Sequence, residues 1–372
     1  MPRNTAIAIV ATAFFWLWAS HADAGMRYCV KPGGERYIVV QNSNDKVVRT
    51  LAWNGLSALN LPPGYRVARS DGYKAGMTLL PNNTGNPCFS IQLDWMIGAD
   101  KLVVDADDWF AGAISSIWFR GVQYLDNSVH GRSMGAAVTF DRYGECFNPT
   151  LDGSGRDDGH YRTTSKLLSW KTTPDSLSTT TQMAYWFPAR SPHQIKPGDI
   201  TPCTREHPEQ RTAVNSTDLS DVIFSWTQTF GYRGVANAVS VEGTYSIGSP
   251  HQRADFEMLA TYLPLGTFSV LEAFDPKEGE FHPLSDGPGI QSFPEVVSSK
   301  DGMSAFGITS PLFPGKEHIG FGRQRFSAAH VMKLNCVTHV SPAPAGRYAF
   351  NCLWAIGTRL EVERAIRDFT AK

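Results

Sequence analysis

Apolar and polar residues alternate in short runs along most of this 372-residue chain, and Gly, Pro, Asn and Asp separate the runs. A period of two is typical of β-strands with one buried face, and clusters of turn-forming residues mark where such strands end. The pattern predicts strands over residues 37–41, 46–51, 101–105, 114–120, 136–140, 179–187, 222–230, 238–248, 258–264, 268–274, 304–309 and 333–340. We therefore expect an all-β protein, built as a large antiparallel β-sandwich.

Near the C-terminal end the pattern changes to a helical period over residues 359–369. Apolar side chains recur there at intervals of about three or four positions, which is typical of an amphipathic helix packed on a core. The apolar positions are Leu360, Val362, Ala365, Ile366 and Phe369. The sequence thus predicts one C-terminal helix on an otherwise all-β fold.

The first 24 residues have the composition of a secretory signal peptide. Arg3 supplies a positive charge, residues 6–18 are largely apolar, and the small residues Ala22 and Ala24 precede Gly25. This order predicts cleavage before Gly25 and export, so we expect a secreted or periplasmic protein. No later run approaches the roughly 20 apolar residues of a membrane helix, so we expect no membrane association after cleavage.

Composition divides the remaining chain into two parts. Residues 25–95 are rich in loop-forming residues and suggest an N-terminal extension packed on the main domain, whereas residues 96–372 carry most of the predicted strands. The main part is long enough for a single large sandwich with a sizeable core. We expect one sandwich domain with an extension rather than two independent domains.

Charge and motif content exclude several classes of function. The formal net charge is −1, with 34 basic and 35 acidic residues, which argues against nucleic acid as the main partner. The sequence contains no P-loop, dinucleotide fingerprint, serine-hydrolase elbow or zinc-protease helix, so we expect no cofactor and no metal. Aromatic residues make up 12% of the chain, and their rings serve either as core or as platforms for sugar rings.

Six cysteines follow the leader, and an even number in an exported chain predicts disulfides. The spacing shows no zinc-type cysteine pair. We expect Cys336 to pair with Cys352, because each lies in a strand and a Pro-rich turn joins the two strands. The other predicted pairs are Cys29 with Cys88 and Cys146 with Cys203.

The order of strands and loops resembles a known superfamily. A strand, Ile114-Ser-Ser-Ile-Trp-Phe-Arg-Gly, precedes the loop Asp126-Asn-Ser-Val-His-Gly-Arg132, and further strands continue to the C-terminus. This order is similar to the galactose-mutarotase-like β-supersandwich of aldose 1-epimerases and of many lyase and hydrolase domains. The resemblance implies a sugar-binding Arg on the early loop and a late carboxylate. The Asn-x-x-x-His-x-Tyr-Phe-Asn-Leu type motif of the epimerases is absent, which argues against simple mutarotation.

The segment 112–149 has a high density of reactive side chains and is the first candidate site. His130 suits proton transfer near neutral pH, Arg132 suits a planar clamp on a carboxylate or hydroxyl pair, and Glu145 suits a base or acid. Glu257 is a polar position in an otherwise apolar strand. It is the candidate for the carboxylate that the resemblance implies in the later part of the chain. Each of these residues also has an ordinary structural interpretation, as a surface charge or an ion-pair member.

Substrate-binding candidates lie in the following loops and strands. They share polar or aromatic side chains close in sequence to the catalytic candidates or to a predicted strand face: Asn148, Asp158, His160, Gln182, Trp186 and His318. Together these residues predict an exported enzyme that acts on a glycan by acid/base chemistry, as a glycoside hydrolase or polysaccharide lyase before an epimerase. The alternative is a carbohydrate-binding protein without turnover, and in both cases the partner is an oligo- or polysaccharide.

Overall fold

The computed structural model describes residues 25–30, 36–41, 47–52, 90–107, 110–126, 130–141, 148–153, 163–188, 213–310 and 319–370. The chain divides into two compact units. The first contains residues 1–74 and 79–90, and the second contains residues 75–78 and 91–372. The predicted extension 25–95 and main domain 96–372 stay predictions. No helix of the described residues is long and apolar enough to cross a membrane.

The first unit contains a three-stranded antiparallel sheet of β1 (Gly25–Val30), β2 (Arg36–Gln41) and β3 (Val47–Ala52). The second and third strands pair in antiparallel register, with Val39 opposite Thr50. The strands predicted over residues 37–41 and 46–51 are therefore confirmed, and they pair with each other.

The remaining strands in chain order are β4 (Ser90–Ile97), β5 (Asp100–Asp107), β6 (Ala113–Phe119), β7 (Val122–Gln123), β8 (Gly135–Phe140), β9 (Lys166–Thr172), β10 (Ser176–Pro188), β11 (Ala213–Phe230), β12 (Ala238–Ile247), β13 (Ala254–Pro264), β14 (Val270–Asp275), β15 (Glu280–Pro283), β16 (Gly289–Gln291), β17 (Glu295–Ser298), β18 (Ala305–Thr309), β19 (Ile319–Phe326), β20 (Val331–Val340) and β21 (Gly346–Gly357). One helix, α1 (Arg359–Thr370), follows the last strand.

These strands form three antiparallel sheets. A nine-stranded sheet has the order β15-β14-β17-β18-β21-β12-β11-β10-β9, a five-stranded sheet has the order β16-β19-β20-β13-β8, and β4 to β7 form a four-stranded meander. The all-β sandwich with a C-terminal helix is thus confirmed.

The main core lies between the five-stranded and nine-stranded sheets. Phe256 on β13 packs against Tyr245 on β12 and Phe350 on β21, with ring centroids 4.9 and 5.2 Å apart. Gly243 on β12 leaves the space that the Met258 side chain fills, since a Cβ there would lie 2.3 Å from its sulfur. The alternating pattern of β13 therefore directs its apolar residues inward and leaves its polar residues on the opposite face.

Helix α1 covers part of the other face of the nine-stranded sheet. Val362 and Ile366 pack over β18, where a Cβ on Gly307 would approach them to 2.6 and 2.8 Å. The glycine lets the helix lie close to the sheet. Leu360 is 73% exposed, so its predicted place on the packed face is wrong. The first turn instead buries Val362 and leaves Leu360 on the outer side of the helix.

The disulfide between Cys336 and Cys352 is confirmed. Its two strands are consecutive in sequence but do not pair with each other. Cys336 on β20 belongs to the five-stranded sheet and Cys352 on β21 to the nine-stranded sheet, and both side chains are buried in the core. The bridge therefore crosses the sandwich and joins its two main sheets.

Strand β10 departs from the simple alternation predicted for residues 179–187. Its pairing with β11 shifts register on both sides of Ala184. As a result, Met183 and Ala184 are both fully buried although they are adjacent. A bulge moves neighbouring side chains onto one face, which a period-two pattern does not anticipate.

Candidate active site

One face of the five-stranded sheet is polar where the central strand β20 meets its neighbour β13. On β13, Asp255 and Glu257 alternate with buried apolar residues, and on β20, Lys333, Asn335 and His339 share the corresponding face. Antiparallel pairing sets Asp255 directly opposite His339. Because these strands are neighbours, five polar side chains from two distant parts of the sequence converge.

These side chains line a cavity of about 500 Å³ that spreads across all five strands of the sheet. Cavities of this size hold small organic ligands. Its lining residues come from β8, β13, β20, β19 and β16, with one proline just before β16: Thr139, Asp255, Glu257, Lys333, Asn335, Val337, His339, Gly322, Arg323, Gln324, Pro288, Gly289 and Ile290.

The Glu257 carboxylate is held by two donors on β20. The Lys333 ammonium donates to both carboxylate oxygens, with Nζ 2.9 Å from Oε1 and 2.8 Å from Oε2. The Asn335 amide donates to Oε1 as well. The Glu257 side chain keeps 28% of its surface exposed toward the cavity. It is therefore a fixed carboxylate that a ligand can still reach.

Asp255 and His339 form a second polar group in the cavity. The His339 Nδ1 atom lies 2.7 Å from Asp255 Oδ1, and Arg253 Nε donates to the same oxygen at 2.6 Å. Nη2 of Arg253 also lies 3.2 Å from His339 Nδ1, so this ring nitrogen faces a carboxylate acceptor and a guanidinium donor together. Both contacts use Nδ1, which leaves Nε2 of the 41% exposed His339 side chain for a ligand. The contact resembles the carboxylate–imidazole pairs that orient a proton-transferring histidine.

The two polar groups flank a small apolar surface. Asp255 and Glu257 are two residues apart on one strand, which separates their Cα atoms by about 7 Å. Val337 lies opposite Glu257, between Asn335 and His339 on the same face of β20. A ligand above Val337 would thus have a carboxylate on one side and an imidazole on the other.

A polar network holds the far wall of the cavity. Arg323 on β19 donates from Nε to the Ser285 carbonyl oxygen at 2.7 Å and from Nη2 to Ser285 Oγ at 3.1 Å. Its Nη1 lies 3.5 Å from Oε1 of Glu295 in the opposite sheet. Gln291 also donates to Glu295, at 3.2 Å. The wall is therefore linked to both main sheets.

Glu295 is the most strongly perturbed acid of this region. Its side chain is fully buried, and burial raises its pKa to about 8 although Arg323 and Gln291 oppose the shift. Its Oε2 atom has no hydrogen-bond partner among the described residues. A protonated carboxyl is the form that suits such a position near neutral pH.

Of the predicted catalytic side chains that the structure describes, Glu257 lies in this cavity and Arg132 does not. Arg132 ends a 3₁₀ turn and forms an ion pair with Asp126, with Nη1 and Oδ2 2.8 Å apart. The His130 side chain and all of Glu145 are outside the described part of the chain. The grouping of His130, Arg132 and Glu145 in one site stays a prediction.

The predicted substrate-binding residues are placed in part. Asn148 is buried, and its Oδ1 atom has no hydrogen-bond partner among the described residues. Gln182 donates to the Ser220 carbonyl oxygen at 3.0 Å, on the nine-stranded sheet. Asp158, His160, His318 and the Trp186 side chain are outside the described residues, as are Cys88, Cys146, Cys203 and the Cys29 side chain. Their roles and the other two disulfide pairs stay predictions.

Sequence reasoning missed the cavity residues on β20. The strand was predicted, but the alternation of Lys333, Asn335 and His339 with apolar residues is also typical of a face exposed to solvent. The available signal was the same alternation on β13, at Asp255 and Glu257. Only the pairing of the two strands turns both polar faces into one site.

Comparison with solved structures gives distant likenesses. The Slr1438 protein from Synechocystis sp. PCC 6803 is 11% identical, with a TM-score of 0.38, and the match covers 75% of this chain and 100% of that one. A GalM/aldose epimerase homologue from C. elegans is also 11% identical, with a TM-score of 0.37, over 73% of this chain and 99% of that one. The heparan sulfate lyase HepC from Pedobacter heparinus is 8% identical, with a TM-score of 0.37, over 78% of this chain and 38% of that one.

These matches include aldose epimerase homologues, the group whose strand order this sequence resembles. No family model and no curated protein matches the sequence.

Proposed function

We propose that this protein is an exported carbohydrate-active enzyme that acts on a glycan by acid/base chemistry. The observation that carries the proposal is the placement of Glu257 and the Asp255–His339 pair on one face of one cavity, about 7 Å apart along β13. Proton transfer to and from a sugar requires two such groups on either side of the reacting atoms. Export rests on the predicted leader, residues 1–24.

Each group has a distinct role in the proposed reaction. His339, oriented by Asp255, gives or takes a proton through Nε2, since an imidazole nitrogen can both donate and accept a proton. Glu257 acts as the carboxylate partner, either as a base or by stabilising positive charge that develops on the sugar. Lys333 and Asn335 are positioning residues, because their hydrogen bonds hold the Glu257 carboxylate in place. Glycoside hydrolysis and lyase chemistry suit this arrangement better than epimerisation, since the sequence lacks the epimerase motif.

The first test is a screen of the purified protein against a panel of polysaccharides, reading both new reducing ends and absorbance from new double bonds. Glu257→Gln is expected to lower turnover by about 100-fold or more, because it removes one member of the proton-transfer pair. Its affinity for the glycan should stay within several-fold of the unmodified protein. Glu242→Gln, on the nine-stranded sheet outside the cavity, is the matched control.

A carbohydrate-binding protein without turnover is the second candidate. The contacts that favour it are those of Glu257, whose carboxylate is already bonded to Lys333 and Asn335, as in a rigid binding site. Binding without any product from the unmodified protein, on every polysaccharide of the panel, would select this candidate. Full turnover by Glu257→Gln would instead contradict the proposed catalytic role.

A further inference from the structure

The cavity continues well beyond the proposed catalytic groups. These groups lie on β13 and β20, whereas the lining extends across β19 to β16 at the edge of the sheet. Neighbouring strands are about 4.8 Å apart, so the five strands from β8 to β16 span roughly 19 Å. A single sugar ring is about as wide as one or two strand spacings. The face is therefore wider than one ring requires.

Glycines keep the part of the floor on β19 flat. A Cβ on Gly322 would lie 2.2 Å from Oδ1 of Asn335, and one on Gly320 would lie 2.5 Å from Cγ2 of Ile290. Side chains from both neighbouring strands thus occupy the space that larger side chains on β19 would fill. The glycines therefore let Asn335, beside the catalytic groups, and Ile290, at the edge of the sheet, lie close over β19.

The rim presents an apolar surface in otherwise polar surroundings. Ile290 is 54% exposed, and Pro288 lines the cavity on the same side. Gln324 on β19 lines the cavity beside them and supplies an amide that can both donate and accept hydrogen bonds. A sugar ring has an apolar C–H face and polar hydroxyl edges, which is the combination that this rim complements.

The rim is also held in a fixed position. Arg323 donates to the Ser285 carbonyl oxygen, and Arg325 Nη1 lies 2.9 Å from Oδ2 of Asp286. Gln291, at the other end of β16, donates to Glu295. These anchors bracket Pro288 and Ile290 on both sides. A surface held in this way binds with little ordering cost.

We infer that the rim formed by Pro288, Ile290 and Gln324 is a distal sugar subsite, which binds a unit of the same glycan remote from the proposed catalytic groups. The inference rests on the proposed function and specifies its substrate as an oligosaccharide that runs across the strands. The apolar face of the distal unit packs on Ile290 and Pro288, and Gln324 bonds its hydroxyl groups.

Calorimetric titration with glycans of defined length tests the subsite. The probes are mono- to hexasaccharides of a glucan, a mannan, a galactan and a polyuronate. In the unmodified protein, affinity should rise as units are added until the cavity is filled. Ile290→Ala and Gln324→Ala should each reduce this gain in affinity with glycan length by roughly tenfold. Both variants should leave the affinity for the monosaccharide unchanged.

Met303→Ala is the matched control, because Met303 is 63% exposed and lies outside the cavity. Thermal unfolding of the variants should follow that of the unmodified protein, since the replaced side chains are not part of the core. Equal affinity for mono- and hexasaccharides, or an undiminished gain in both rim variants, would overturn the subsite while leaving the Glu257 test intact. Absence of binding to every probe would overturn both.

Discussion

A single buried carboxyl, Glu295, couples the stability of the sandwich to pH. Its folded pKa of about 8 lies above the ordinary value, so the folded state binds the proton more tightly than the unfolded chain. The stabilising contribution is complete below the unfolded pKa and is lost as the pH rises through about 8. The protein should therefore become less stable between weakly acidic and weakly alkaline pH.

Glu295→Gln is expected to remove this dependence, because the amide cannot ionise. Between pH 5.5 and 7.5, the free energy of unfolding of the unmodified protein should fall by roughly 2 kcal/mol more than that of the variant. Urea unfolding of both proteins at several pH values measures the difference. Parallel curves for the two proteins would show that Glu295 does not titrate in this range.

The position of His339 predicts a specific pattern of turnover among variants. His339→Asn removes the imidazole while keeping a polar side chain, so turnover should fall by about 100-fold or more. Arg253→Met keeps the imidazole and removes a guanidinium that contacts both Asp255 and His339 Nδ1, so turnover should fall less. His282→Asn, on the edge strand β15, should leave turnover unchanged. Equal turnover in His339→Asn and the unmodified protein would refute the role of His339.

At the scale of elements, helix α1 is stabilised at its first turn by contacts from two directions. The Thr358 backbone amide donates to Glu361 Oε2 at 2.7 Å, and the Glu361 amide donates to Thr358 Oγ1 at 3.3 Å, which is a capping box. Arg120, in the turn between β6 and β7, donates to both Glu361 oxygens at 2.8 and 3.0 Å. The same carboxylate therefore caps the helix and attaches it to the meander.

These contacts, led by the Arg120 hydrogen bonds, lower the Glu361 pKa to about 2. A lowered pKa stabilises the fold above the unfolded value and loses that effect as the pH falls toward 2. Glu361→Gln should cost about 1 kcal/mol at pH 7, after allowance for solvent screening of this partly exposed pair, and much less at pH 2.5. Denaturant unfolding at both pH values measures this loss of stability, with the exposed Glu280→Gln as control. An equal loss at pH 7 and pH 2.5 would contradict the prediction.

The sequence pattern was informative for long strands and weak for short ones. The central strands β12, β13 and β20 alternate clearly and were predicted, whereas β16 has three residues and no period to detect. Partner choice was beyond a single sequence, because β13 pairs with β8 and β20 across long separations. Glu257 was found as an isolated carboxylate, but its neighbours Lys333 and His339 could not be assigned to it without that pairing.

At the scale of the whole molecule, the Cys336–Cys352 bridge joins the sheet that carries the cavity to the sheet behind it. Replacing both cysteines with Ala should lower stability by about 3 kcal/mol, the effect expected for a closed loop of this length. Thermal unfolding with and without reductant measures it, since reductant should lower the melting temperature of the unmodified protein alone. Equal melting temperatures for the oxidised protein and the double variant would refute the expected contribution.

The position of β21 also bears on how the protein is made. It is the last of the strands that the structure describes, yet it pairs with β12 on one side and β18 on the other, inside the nine-stranded sheet. Until β21 joins the sheet, the strands on its two sides are separate halves with open edges. Open edges in a slow-folding β-protein are sites of aggregation. A nascent chain that stops before residue 346 should therefore require a chaperone that the finished protein does not need.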